Sequence, residues 1–467
     1  MVLQSSGGIT FSQIRNELKG SGSSGGISMS QLYDNNSNYL ACGLGLPNSG
    51  TGISFSSMYS KQKTMLSGLN FKTFSQGYFA DDVGWTTVRQ YTAIGLVTDF
   101  TNISNATNAN YYVNYAGAYT AEWFGYFRAN VTGTWTFTVN SDDASYLWVG
   151  SVALNGWTTG NTIAKSPSTH PNGSEVAGTI SLTSGSYYPI RMQYGNGSGN
   201  SDCQFTMTPP SGTKTTNWAG YVFSSLGGNA SYPAENAKII KDLYTTNALN
   251  GTYYVNCAGV GTKTYCLMDP KYDGGGWMMI MKATRGTTFP YSSTYWTAVN
   301  TLNPTDTTLN DADAKFDTFN NINVKDLLAI FPDAGYTGGG ITSPDTGYWT
   351  WLVNNCYSSG TKTTPLTIFG TYSVISTTPL SNPNYSANIW STEGGYQAFL
   401  INANAGFNTP IRWGFLWNNE FDWGSIDVGG GIGMNSTQGS YSAGDFIGCC
   451  QTSTGLNRSM RAMVFAR

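Results

Sequence analysis

Three consecutive glycines opening into an apolar run constrain this chain more than any other stretch. Residues 269–281 read DPKYDGGGWMMIM. Gly274, Gly275 and Gly276 carry no Cβ, so the backbone there can turn tightly and approach neighbouring chain closely. Trp277 then starts an uninterrupted apolar run through Met281, whose length predicts a buried strand. Upstream, the segments at 253–255 and 264–267 are rich in aromatic and β-branched residues and predict two more strands leading into the turn.

The rest of the composition agrees with many short strands. Only 10% of residues are charged, while there are 57 glycines, 30 tyrosines, 14 tryptophans and 22 phenylalanines, with no glycine-every-third period. A length of 467 residues allows two or three domains. The net charge of -3, without a basic cluster, gives no footprint for a phosphate backbone, which argues against nucleic acid. Neutral, aromatic-rich and amide-rich surfaces suit neutral polymers, because stacking on sugar rings needs no positive groove. No apolar stretch reaches bilayer length, so no membrane insertion is expected. The opening MVLQSSGGITFSQ has neither a basic n-region nor an apolar h-region, and reads as lacking a secretory signal. Of seven cysteines, Cys257 and Cys266 flank a short turn and could face each other, whereas the adjacent Cys449 and Cys450 are poorly placed for a mutual bridge. The single histidine, His170, has no partner cluster with metal-ligand spacing.

At the N-terminus a short motif recurs as GITFSQI at 8–14, GISMSQLY at 26–33 and GISFSSMY at 52–59. Thr10 and Ser28 stand three residues before Gln13 and Gln31, the spacing of a capping box, so each copy can start a short helix. Such small modules cannot bury a core alone and must pack on each other, oligomerise or dock. This segment resembles the N-termini of structural proteins of tailed bacteriophages, which implies that residues 1–60 dock the chain onto other virion proteins. A frayed leader with accidental caps is the plainer alternative.

The middle of the chain alternates. In 133–139, Trp135, Phe137 and Val139 interleave with Thr134, Thr136 and Thr138, the period of a strand with one buried face. The alternation returns at 185–194, where Pro189 predicts an edge or a bulge. The ordered piece FRANVTGTWTFTVNSDDASYLWVG resembles the PA14 domain and its relatives in yeast flocculins and epithelial adhesins, over about 111–210. The resemblance implies a β-sandwich in which two consecutive aspartates hold a calcium ion that contacts sugar hydroxyls. Those positions are Asp142 and Asp143, with Asn196, Asn200 and Asp202 in a plausible second loop; hard oxygen ligands in this arrangement suit Ca2+. Alternatively the aspartates only cap a tight turn.

In the last half, a helix is expected from 231 to 244, with Pro233 in its first turn, and short helices at 313–319 and 323–331, the latter ended by Pro332. The segments NGTYYVNC, YCLMD and GGGWMMIMK resemble the fibrinogen C-terminal domain, to which intelectins are related. That likeness implies an α+β domain and a structural calcium site, matched loosely by Glu420, Asp422 and Asp427. The same carboxylates could flank a glycosidic bond only if ~5–9 Å apart. No nucleophile elbow, metalloprotease motif, Walker loop or dinucleotide fingerprint is present, and the chain reads as no enzyme.

The sequence thus predicts a mostly β protein in three parts: docking modules at 1–60, a PA14-like β-sandwich at 61–225 and a fibrinogen-like domain at 226–467. The function expected is a virion surface protein, located in the virion and homo-oligomeric, that displays glycan-recognition domains to a host. A purely architectural tail or capsid component and a secreted cellular lectin are the alternatives.

Overall fold

The computed structural model describes residues 13–14, 64–79, 84–100, 117–199, 201–332, 349–353, 361–371, 374–376, 396–403, 409–418, 420, 422, 424–436, 439–447 and 458–467. Apart from Gln13 and Ile14, the three N-terminal copies lie outside these residues, as do Asn200, Cys449 and Cys450. The chain divides into two compact units, 1–262 with 268–276, and 263–267 with 277–467. The boundary expected at 225/226 falls inside the first unit.

The first unit contains β1 (Met65–Ser67), β2 (Leu69–Phe74), β3 (Ala93–Val97), β4 (Tyr119–Arg128), β5 (Gly133–Asp142), β6 (Ala144–Val149), β7 (Ala164–Ser166), β8 (Val176–Leu182), β9 (Tyr187–Asn196), β10 (Asp202–Thr208) and β11 (Val222–Ser225). An eight-stranded sheet runs β1-β11-β4-β9-β6-β7, with β2 on β4 and β3 on β2; a three-stranded sheet runs β10-β5-β8. The alternation at 133–139 does what it predicts. Trp135, Phe137 and Val139 are buried, and they meet Phe127, Trp123 and Met192 of the larger sheet in one core. The contacts are edge-on: Phe127 to Phe137 at 5.2 Å and Trp123 to Phe205 at 5.5 Å. Each such burial contributes roughly 1.5–3 kcal/mol, against a few tenths for an exposed threonine pair, so the aromatic rows fix the register.

Strand β4 shows no alternation, because both of its faces are covered. On the face away from the sandwich core, Glu122 is fully buried between Lys72 Nζ at 2.7 Å and Arg191 Nη1 at 2.6 Å. Gln193 Nε2 donates to Glu122 at 2.7 Å, the Thr86 hydroxyl donates to it as well, and Lys72 also reaches Glu235 at 2.5 Å. The Arg191 guanidinium lies 3.9 Å from the Trp157 ring and 4.4 Å from that of Phe124. This network pins β9, which matters because β9 ends at the site described below.

Two local expectations need correction. Pro189 sits in an interior strand, between β4 and β6, and not at a sheet edge. Its carbonyl accepts from Gly150 N–H just past the end of β6, so its missing N–H points where no strand needs it. The helix expected from 231 begins at Ala237: α1 (Ala237–Tyr244) is capped by Asn236, whose Oδ1 accepts from Ile239 N–H at 2.9 Å. The preceding Ala234 is instead bonded, strand-like, to Tyr254. The glycine turn is as read: Gly274, Gly275 and Gly276 have φ of 83°, 78° and 81°, and a Cβ on Gly275 would lie 2.4 Å from the Met268 carbonyl oxygen.

The second unit is also mostly β. Strand Trp277–Ala283 is buried throughout and pairs with Val260–Leu267 and Ala462–Ala466; beyond the latter lie Leu327–Phe331 and Trp349–Val353. A six-stranded meander follows in chain order: Val374–Ser376, Tyr396–Ala403, Ile411–Asn418, Val428–Ser436, Gly439–Ile447 and Arg458–Ser459. Only two short α-helices accompany them among the described residues, α2 (Asp317–Asn321) and α3 (Pro365–Thr371), joined by the stacked rings of Phe319 and Phe369 at 5.7 Å. The helix expected at 323–331 is a strand over its apolar part, since LLAIF is buried on both faces in mid-sheet. The expected α+β balance is therefore not found. Cys257 and Cys266 are buried and not joined by a disulfide. No helix is long and apolar enough to cross a membrane among the described residues.

Candidate functional site

The chain leaves the small sheet at Asp142, the last residue of β5, and enters the large sheet at Ala144, the first of β6. The Asp142–Asp143 peptide at this crossing is cis. Register then gathers the other residues. Asp142 stands opposite Asp202 in the β5–β10 pair, and Ala144 stands opposite Gly195 in the β6–β9 pair, which brings Asp143 to Asn196 and Gly197. Four of the five residues expected here, Asp142, Asp143, Asn196 and Asp202, thus come together from three strand ends. The fifth, Asn200, lies outside the described residues.

The Asp143 side chain is buried and fully engaged: Oδ1 accepts from His170 N–H at 3.0 Å and Oδ2 from Gly197 N–H at 2.7 Å. The Tyr194 hydroxyl donates to the Asp142 carbonyl, and Ser141 Oγ lies 2.5 Å from the Asp143 carbonyl. Asn172 Nδ2 donates to Asp202 Oδ2 at 2.5 Å. Close approach behind the site requires glycine, because a Cβ on Gly195 would lie 1.8 Å from the Tyr78 carbonyl oxygen. Burial, followed by repulsion from Asp143, holds the Asp142 carboxyl above the ordinary carboxylate range, against a hydrogen bond from the Asn172 backbone.

Two acceptors are left over. Asn196 is 0% exposed, and its Oδ1 receives no hydrogen bond among the described residues; neither does the buried Oδ1 of Asp202. Buried oxygens without donors, beside two carboxylates that repel each other, are an environment that a hard cation satisfies. The donor set fits calcium in type: Asp142, Asp202, the Asn196 amide oxygen and nearby carbonyls. It is not an all-carboxylate cage, for no group of three or more His, Cys, Asp or Glu side chains converges to hold a metal among the described residues.

The residues expected in the second half behave differently. Glu420 Oε2 and Asp422 Oδ2 share the Ser425 hydroxyl at 3.4 and 3.3 Å, and Gly424 N–H donates to Asp422 Oδ1 at 2.8 Å. This is a loop folded on itself, with Asp422 exposed. Asp427 is buried a few residues on, where the chain re-enters the sheet.

Sequence reasoning missed His170 and Asn172, which reach the acidic residues from the segment between β7 and β8. Their one signal was proximity in composition: the only histidine of the chain lies in a Pro/Asn/Gly turn, 27 residues beyond Asp143. It also misplaced the aromatics. Trp123, Trp135, Trp148, Trp157 and Trp218 are buried, so they build the sandwich and do not face a sugar. Half-buried Phe79, against Gly197, is the ring beside the site.

The GLEYA domain family matches residues 119–209, from the first residue of β4 to just beyond β10, and so spans the whole crossing. Among solved structures, the chain is similar to the epithelial adhesin 6 A domain from Candida glabrata in complex with Galb1-3GlcNAc (20% identity, 35% of this chain, 88% of that one, TM-score 0.26). It is similar also to the epithelial adhesin 9 A domain from Candida glabrata in complex with Galb1-4GlcNAc (19%, 35% and 91%, 0.27) and to the PA14 domain of the MpAFP antifreeze protein (14%, 38% and 96%, 0.28). No curated protein matches. The family match overturns the reading of the chain as a component of tailed-phage virions, and with it the virion location and docking to virion proteins. Over residues 119–209 the chain resembles an adhesin-type domain, in keeping with the expectation that it is no enzyme.

Proposed function

We propose that the first unit is a carbohydrate-recognition module of a cell-surface or secreted adhesin-type protein, with the crossing at Asp142–Asp143 as its binding site. One observation carries the reading: the family match spans a crossing where the buried oxygens of Asn196 and Asp202 lack donors beside paired carboxylates. Calcium, when bound there, would supply coordination positions that vicinal sugar hydroxyls can fill in place of water. The chain's own residues do the rest. Asp142, Asp202 and Asn196 offer the ligand oxygens. Asp143, with both oxygens taken by backbone N–H groups, holds the two loops in place. Phe79 offers an apolar edge to a sugar ring.

Immobilised β-galactosyl disaccharides and other neutral glycans are the first probes for the intact chain. Binding that disappears with a chelator, returns with calcium and is lost in Asp142→Asn supports the reading. Binding that is indifferent to chelation and to Asp142→Asn, or no binding to any neutral glycan, removes it.

A further inference from the structure

One turn, at residues 170–172, reaches all three carboxylates of the crossing. His170 N–H donates to Asp143 Oδ1 at 3.0 Å and the Asn172 side-chain amide donates to Asp202 Oδ2 at 2.5 Å, while the Asn172 backbone favours the charged form of the Asp142 carboxyl. The residue between the donors is Pro171, which has no N–H to leave without an acceptor. The turn is itself fixed by the imidazole of His170. Nδ1 lies 2.8 Å from the Pro171 carbonyl and Nε2 lies 2.8 Å from Ser166 Oγ, at the end of β7. A carbonyl only accepts, so Nδ1 carries the proton and Nε2 pairs with the serine hydroxyl.

We infer that this turn is the positioning element of the acidic site: His170, anchored on Asp143, and Asn172 orient the crossing so that the remaining oxygens of Asp142 and Asp202, with Asn196 Oδ1, face one ligand. The inference rests on the function proposed above and goes beyond it by assigning the donors that orient the ligand oxygens. The three carboxylates come from the end of one strand, the crossing and the start of another. Asp202 spends one oxygen on the turn, and Asp143 spends both, one on the turn and one on Gly197. Donors to ligating carboxylates tune affinity by about 10–100-fold in metal sites generally, without touching the metal. His170 and Asn172 are positioning residues and not ligands.

The test uses the intact chain, with two readouts for wild type, Asn172→Ala, His170→Ala and His170→Asn. The first is calcium affinity by titration calorimetry. The second, in calcium-free protein, is hydrogen exchange of the amides at 170 and 197, with β4 amides as the folding control. Asn172→Ala and His170→Ala should bind calcium about 10-fold more weakly. Exchange at 170 should be about 10-fold faster in both, with β4 unchanged and partial recovery in His170→Asn. Unchanged affinity with faster exchange overturns the inference, since the turn then has no bearing on the ligand. Weaker binding with unchanged exchange overturns it too, since the residue then acts as a direct ligand. If wild type takes up no calcium, the proposed function fails; exchange alone then decides, faster in both variants upholding the positioning role and unchanged overturning it.

Discussion

The acidic residues at 142–143 and those at 420–427 look alike as sequence and differ in how the chain gathers them. At the first, carboxylates from β5, β10 and the crossing between sheets meet donors from a distant turn, beside buried oxygens that lack partners. At the second, Glu420 and Asp422 bond to Ser425, Gly424 and the neighbouring Asn418 within a single loop. Long-range assembly on rigid strands leaves some oxygens with unmet demand. A local loop satisfies its own. The first arrangement leaves buried acceptors open, and in the second the carboxylates bond within their own turn.

That contrast can be broken at several depths. The largest effect is expected at the buried network behind β9. Glu122→Gln leaves Arg191 buried without its counter-charge and should cost about 3–5 kcal/mol in urea unfolding. The same residue gives a pH signature. Burial alone would raise its carboxyl, but Arg191 and Lys72 outweigh burial and lower it to about 2 from the ordinary 4.5. Because the folded value is depressed, the stabilisation is fully present above pH 4.5 and disappears as pH falls from there toward 2. Melting temperature should fall steeply in that window for wild type and less so for Glu122→Gln.

Next comes Asp143→Ala. It strands the partly buried His170 and Gly197 amides and should cost about 1–3 kcal/mol, read by the same unfolding measurement. The smallest effect is expected at the second cluster. Asp422→Ala removes an exposed loop acceptor and should change stability by no more than ~0.5 kcal/mol. A loss at Asp422 as large as that at Asp143 would erase the contrast.

How much of this was legible follows from the physics of each signal. The strand at 133–142 announced itself because one of its faces is core and the other is not, and period two survives in the side chains. The buried runs at 277–283 and 327–331 carry no period. Glycines before Trp277 marked the first as a strand, whereas Asp326 and Pro332 around the second suited a helix equally well. Asp142 and Asp143 were visible as adjacent hard ligands. Asn172 and His170 were not, because turn residues are common everywhere and only the β7–β8 geometry brings these two across. The capping-box spacing at Thr10 and Ser28 signals where a helix starts and holds no information about a partner, so the phage likeness built on it had no physical anchor.

Calcium titration of wild type beside Asp142→Asn and Asp422→Asn bears most directly on the crossing as a cation and glycan site. The account predicts saturable binding that Asp142→Asn abolishes and Asp422→Asn leaves intact. Binding that survives Asp142→Asn, or that Asp422→Asn removes, would contradict it.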